Sequence, residues 1–100
     1  MQYYSTRNHA ALFSLQEAAF RGLAPDGGLF MPAVIPHADL EKVRELSECS
    51  FSELSRYLTR LFFGDELPEA RTDAIAAEAC RFPVPLKQVG KDKYTLELFH

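Results

Sequence analysis

Apolar and polar positions along this chain alternate in short, locally periodic segments. Tyr3-Tyr4-Ser5-Thr6 carries the aromatic and β-branched side chains that suit a pleated strand. Ser14-Leu15-Gln16-Glu17 is a capping box, so a helix is predicted from there to about Arg21, with Gly22 ending it. Asp39 caps a second short helix, on which Leu40, Val43 and Leu46 recur at helical spacing. Ser50-Phe51-Ser52-Glu53 is another capping box and opens the most amphipathic stretch. There Phe51, Leu54, Tyr57, Leu58, Leu61 and Phe62 form one stripe, expected to be core rather than a binding groove, and Gly64 is the stop. Pro68 suits the first turn of a further helix that directs Ala74, Ile75 and Ala79 inward and runs to about Arg81. Phe82-Pro83-Val84-Pro85 forbids helix and predicts an extended link. Leu86-Lys87-Gln88-Val89 and Tyr94-Thr95-Leu96-Glu97-Leu98 then read as a hairpin around Gly90-Lys91-Asp92-Lys93.

The helices thus precede Pro83 and a strand pair follows it, which is an α+β arrangement. The densest stereochemical specification lies in Arg21-Gly22-Leu23-Ala24-Pro25-Asp26-Gly27-Gly28-Leu29-Phe30-Met31-Pro32. Pro25 presets φ for a turn, and Gly27 and Gly28 are expected to supply positive φ. Leu29-Phe30-Met31 forms a short apolar strand expected to be buried, ended by Pro32. The chain closes on Phe99-His100, directly on a strand with no stop signal, and so reads as cut short.

Composition narrows the function classes. One hundred residues suit a single domain, and 47% apolar with 25% charged residues is the make-up of a globular chain. A net charge of −3 carries no electrostatic footprint for nucleic acid or an anionic membrane, so neither partner is expected. The first residues lack the apolar core of a signal peptide, and no apolar run is long enough to span a bilayer; a cytoplasmic location is the default. Cys49 and Cys80 have no His or Cys at ligand spacing and are expected to be buried, reduced thiols.

Candidate chemistry is sparse. No phosphate-binding loop, nucleophile elbow, zinc-binding helix or dinucleotide fingerprint is present. His9 and His37 read as surface or loop residues. Glu66 and Glu69 flank Pro68 and serve a helix start. Lys87, Lys91 and Lys93 surround a polar turn, where a lysine stays solvated and protonated rather than nucleophilic. Asp26, beside two glycines, either serves its turn or points a carboxylate and amides at a ligand.

Several of these segments, in order, resemble the N-terminal domain of the threonine synthase family. The matching stretches are Tyr3-Tyr4-Ser5-Thr6-Arg7-Asn8, the whole 21–32 run, Ser50-Phe51, Phe62-Phe63-Gly64-Asp65-Glu66-Leu67-Pro68, Phe82-Pro83-Val84-Pro85-Leu86 and Leu96-Glu97-Leu98-Phe99-His100. The resemblance implies a small, mostly helical domain with short strands over residues 1–82. Residues 83–100 would then be an extended link and hairpin beginning an α/β catalytic domain of the pyridoxal-phosphate fold type II family. It also implies a full-length lyase that converts O-phospho-L-homoserine and water to L-threonine and phosphate. The lysine that holds pyridoxal phosphate falls in a Phe-Lys-Asp run beyond His100, so the fragment is expected to bind no cofactor and to be inactive alone. No catalytic, cofactor-binding or metal-binding residue is expected within it; Asp26, Gly27, Gly28, Phe99 and His100 are its candidate cleft-lining positions. The rest of the catalytic domain is the implied partner. A threonine synthase-like phospholyase and a non-enzymatic interaction module remain as alternatives.

Overall fold

Residues 1–99 are described by a computed structural model. Strand β1 (Gln2–Ser5) pairs on one side with β2 (Asn8–Ser14) and on the other with β3 (Phe30–Pro32), giving an antiparallel sheet in the order β2-β1-β3. Tyr3 lies opposite Phe13 and Pro32, and Ser5 opposite Phe30, so these five positions share one face. Tyr3 and Ser5 are buried there, and the rings of Phe13 and Phe30 meet edge to face across β1 at 5.1 Å. The opposite face carries Tyr4, Leu12 and Met31, with Leu12 and Met31 exposed.

The helices begin where their caps predict. Helix α1 (Leu15–Arg21) starts on Ser14, whose hydroxyl accepts from the Glu17 N–H while the Glu17 carboxylate accepts from the Ser14 N–H. Gly22 ends it at φ +72°. Helix α2 (Leu40–Leu46) starts on Asp39, and α3 (Phe51–Phe63) on the Ser50–Glu53 capping box. The Asp39 N–H also donates to the Tyr57 hydroxyl at 3.1 Å, tying the start of α2 to the middle of α3. Helix α4 (Glu69–Ala79) follows Pro68, which stands one residue before the helix rather than in its first turn. Arg60 joins α3 to α4 by a two-pronged contact with Asp73 (2.8 and 2.6 Å) and a further one with Glu69 at 2.8 Å. Strands β4 (Leu86–Gly90) and β5 (Lys93–Leu96) form a separate two-stranded sheet after the extended Pro83–Pro85 link. The overall reading as α+β therefore stands.

The structure departs from the sequence expectations at several places. Strand β2 has no sequence signature, because Asn8-His9-Ala10-Ala11 lacks β-branched residues and gains its strand only from pairing with β1. On α4 the buried positions are Thr72 and Ala76, whereas Ala74, Ile75 and Ala79 are exposed. An alanine-rich helix has too little contrast between its faces to fix which one turns inward. Cys49 is exposed in the bend between α2 and α3, and Cys80 is half-buried. Leu29 and Met31 are exposed rather than buried, and of the long α3 stripe Phe51 and Leu58 remain exposed too.

The core is accordingly thin. Its buried apolar residues are Tyr3, Ala24 and Ala76, alongside Ser5, Ser55 and Thr72. The radius of gyration is 16.2 Å, against about 13 Å for a compact chain of this length. A large share of the apolar side chains lies on open surface, including every apolar position of β4 and β5.

Candidate functional site

The 21–32 run folds into a clasp over the end of β1. The Gly27 N–H donates to the Ala24 carbonyl at 2.9 Å and the Ala24 N–H to the Gly28 carbonyl at 3.0 Å, closing a tight loop. Thr6 and Leu29 then exchange bonds: the Thr6 N–H donates to the Leu29 carbonyl at 2.9 Å, and the Leu29 N–H to Thr6 Oγ1 at 3.0 Å. At the centre, Asp26 Oδ1 accepts from the Ser5 hydroxyl at 2.6 Å and from the Gly28 N–H at 2.9 Å. Ser5 Oγ itself accepts from the Arg7 N–H at 3.2 Å, and Arg7 Nη1 donates to the Asp26 carbonyl at 3.0 Å.

The two glycines answer different needs. Gly27 adopts φ +79°, a left-handed conformation that costs other residues energy. Gly28 does not have positive φ, contrary to expectation. It is glycine because a Cβ there would overlap Ser5 Oγ and crowd Thr6 Oγ1 and Asp26 Oδ1.

Asp26 is thus an acceptor whose partners are all donors. The Ser5 hydroxyl, then the Gly28 N–H, then the charge of Arg7 hold its carboxyl below the usual aspartate range. A carboxylate so held is a poor proton acceptor; its hydrogen-bond partners are the Ser5 hydroxyl and the Gly28 N–H, and among the described residues no histidine joins them to form a base–nucleophile relay. His9 is exposed and packs its ring on Tyr4 at 4.3 Å, and His37 is exposed on a loop. Phe99 is 91% exposed and lies with Pro83, Pro85 and Glu97, on a different segment from the clasp. His100 lies outside the described residues. Asp26, Gly27 and Gly28 therefore come together as one unit, which Phe99 does not join.

The lysines offer little as cofactor anchors. Lys42 pairs with Glu45 at 3.1 Å, which raises its affinity for a proton, and Lys87 pairs with Glu97 at 3.2 Å. Lys91 and Lys93 are exposed in and beside the β4–β5 turn. Among the described residues, no group of three or more His, Cys, Asp or Glu is placed to hold a metal ion. Among the described residues, no helix is long and apolar enough to cross a membrane.

One surface feature has no local sequence signature. Leu15 and Phe20 of α1, Phe63 of α3, Leu67 of the α3–α4 connection and Ile75 of α4 line an open apolar hollow, with Phe20 85% exposed. Only the packing of three helices creates it, so periodicity within any one of them does not reveal it. Close by in charge terms, the Tyr3 hydroxyl is buried with no partner among the described residues; burial, and secondarily Glu66, push its pKa up.

Paired carboxylates fix the acid response of the fold. Ser14 groups hold Glu17 down, Ser50 groups hold Glu53 down, and the Arg60 guanidinium does the same to Asp73. Together with Asp26, these groups bind protons less readily folded than unfolded. Their stabilisation is complete above the ordinary carboxylate range, near pH 4, and is lost as pH falls through the lower folded values. The expected urea midpoint is therefore level from about pH 7 to 5 and declines below about pH 4. A midpoint that held steady or rose down to pH 2 would contradict this assignment.

The family model described as threonine synthase N terminus matches residues 2–80. Threonine synthase of Haemophilus influenzae is 37% identical over 100 residues, covering all of this chain and 23% of that protein. Threonine synthase-like 2 of Homo sapiens is 37% identical over 106 residues, covering all of this chain and 22% of that protein. The crystal structure of threonine synthase from Brucella melitensis, solved with PLP bound, superposes with a TM-score of 0.82 at 35% identity, over 100% of this chain and 23% of that one. The chain thus spans less than a quarter of the length of these relatives. With 79 residues inside the family model and the fold shared at full coverage, the chain belongs to the threonine synthase N-terminus family.

Proposed function

We propose that this chain is the N-terminal part of a threonine synthase, whose full-length form converts O-phospho-L-homoserine and water to L-threonine and phosphate in threonine biosynthesis. The supporting observation is the end-to-end match to threonine synthases, at identities above 30%. Within this reading, residues 1–82 form the N-terminal domain and residues 83–100 begin the catalytic domain. The end of the family match at residue 80 and the Pro83–Pro85 link support that division. A cytoplasmic location is part of the same proposal.

Pyridoxal phosphate would act as the electron sink of the full-length enzyme. The residues present here do not fit it. A Schiff-base lysine needs desolvation to lose its proton, and the lysines of this chain are exposed, two of them in ion pairs. No step of the reaction is assigned to them. The chain's own contribution is architectural: the clasp sets the shape of a wall, and Asp26, Gly27 and Gly28 line the cleft through that shape rather than through proton transfer. The Phe20 hollow and the hairpin edges are the surfaces that the remaining three quarters of the enzyme cover.

The test is phosphate release from O-phospho-L-homoserine by the polypeptide extended past residue 100, set beside the 100-residue chain. Release with L-threonine formation by the extended protein alone is expected. The chain by itself should give no borohydride-trapped pyridoxal phosphate adduct at a single lysine. Such an adduct would overturn the assignment of cofactor binding to residues beyond His100. The equal identity to threonine synthase-like 2 keeps a phospholyase acting on another phosphate ester as the second reading. Turnover of such an ester without threonine formation would select it.

A further inference from the structure

We propose that Asp26–Gly27 is a latent isoaspartate site, kept from isomerising by the Ser5 clasp and modified when the clasp opens. Asp26–Gly27 is the only Asp–Gly step in the sequence, and there is no Asn–Gly step. Glycine after aspartate leaves the attacking amide nitrogen unshielded, because no Cβ stands beside it. In the reaction the Gly27 nitrogen bonds to Asp26 Cγ, and a carboxyl oxygen departs as water with the carboxyl and amide protons. Water then opens the five-membered imide at the main-chain carbonyl. The product has unchanged mass, a main chain routed through the former side chain, and a free α-carboxylate. Nothing is oxidised or reduced.

Each requirement of the first step is opposed by a contact in the clasp. The attacking Gly27 N–H is committed to the Ala24 carbonyl at 2.9 Å. The carboxyl must be protonated to lose water, yet Oδ1 takes hydrogen bonds from Ser5 at 2.6 Å and Gly28 at 2.9 Å, which favour its ionised form. Gly27 is held at φ +79°, and Arg7, the charged group facing Asp26, fixes the Asp26 carbonyl at 3.0 Å. Ser5 is 1% exposed, so water does not readily replace its hydroxyl. Asp26 and Gly27 themselves are exposed, so once the clasp opens the hydrolytic water has access. Isomerisation would then add a backbone carbon to a loop closed by three-residue spacing and withdraw the carboxylate from Ser5, leaving the clasp unable to re-form.

The experiment incubates the intact chain and its tryptic peptide, residues 22–42, at neutral pH and 37 °C. Isoaspartate at position 26 is quantified by isoaspartyl methyltransferase labelling and located by electron-transfer mass spectrometry. The peptide should isomerise at least about tenfold faster than the folded chain, and Ser5→Ala should return most of that factor, as expected for one hydrogen bond to a charged group. Circular dichroism establishes whether Ser5→Ala is folded. If it is not, Arg7→Ala, which removes only an exposed contact, takes its place and must also accelerate the reaction. Equal rates in wild-type chain and peptide, or a folded variant as slow as wild type, would overturn the proposal.

Discussion

Replacing Gly28 with alanine is expected to destabilise the chain by about 3 kcal/mol, the upper part of the range for forcing atoms into a filled site. The added Cβ would meet Ser5 Oγ first, with Thr6 Oγ1 at 3.0 Å and Asp26 Oδ1 at 3.1 Å. Ser5 cannot turn aside cheaply, because its hydroxyl donates to Asp26, accepts from Arg7 and is sealed from water. Gly27→Ala is the informative partner. Its Cβ would meet only the end of the flexible Arg7 side chain, Nη1 at 3.4 Å and Cζ at 3.8 Å, so the cost is left-handed strain, about 1 kcal/mol. In thermal melts the two variants should fall by roughly 15 °C and roughly 5 °C, using the scaling for a domain of this size. The reverse order would mean that backbone strain, rather than the close approach of two chain segments, selects glycine at both positions.

Ala76→Leu is the second large effect, at about 2–3 kcal/mol. Ala76 is 1% exposed and Thr72 fully buried on α4, and the buried residue of α3 is Ser55. The two helices make close contact through small side chains, with Arg60 bracketing the pair from outside through Asp73 and Glu69. A leucine at position 76 must push the helices apart and strain that bracket. Ala74→Leu serves as the control, since Ala74 is exposed, and should stay within about 0.5 kcal/mol of wild type. Urea unfolding of both variants distinguishes the observed inward face from the one that the sequence pattern predicts. A larger loss at position 74 would restore the predicted face.

What the sequence reveals follows from how local each cause is. Capping boxes at Ser14 and Ser50 and the Asp39 cap act over three residues, so three helix starts were readable to the residue. Gly22 and the Lys91-Asp92 turn are likewise local solutions, the latter with Asp92 at φ 56°. Strand β2 was hidden because its stability comes from β1, and the inward face of α4 because alanines present the same surface all round. The clasp was half legible. Pro25, Asp26 and Gly27 announce a turn, but the reason for Gly28 is Ser5, more than twenty residues away. Likewise Phe20 acquires meaning only when α1, α3 and α4 converge.

The hairpin of β4 and β5 has a consequence for handling the chain. All nine of its residues are exposed, and each outer edge presents unpaired main-chain donors and acceptors. Lys91 and Lys93 flank Asp92 at the turn and Lys87 is paired with Glu97 at 3.2 Å, so these edges carry little uncompensated charge to oppose strand-to-strand approach. The free 100-residue chain is therefore expected to associate through these edges as its concentration rises, which sedimentation at several concentrations would read.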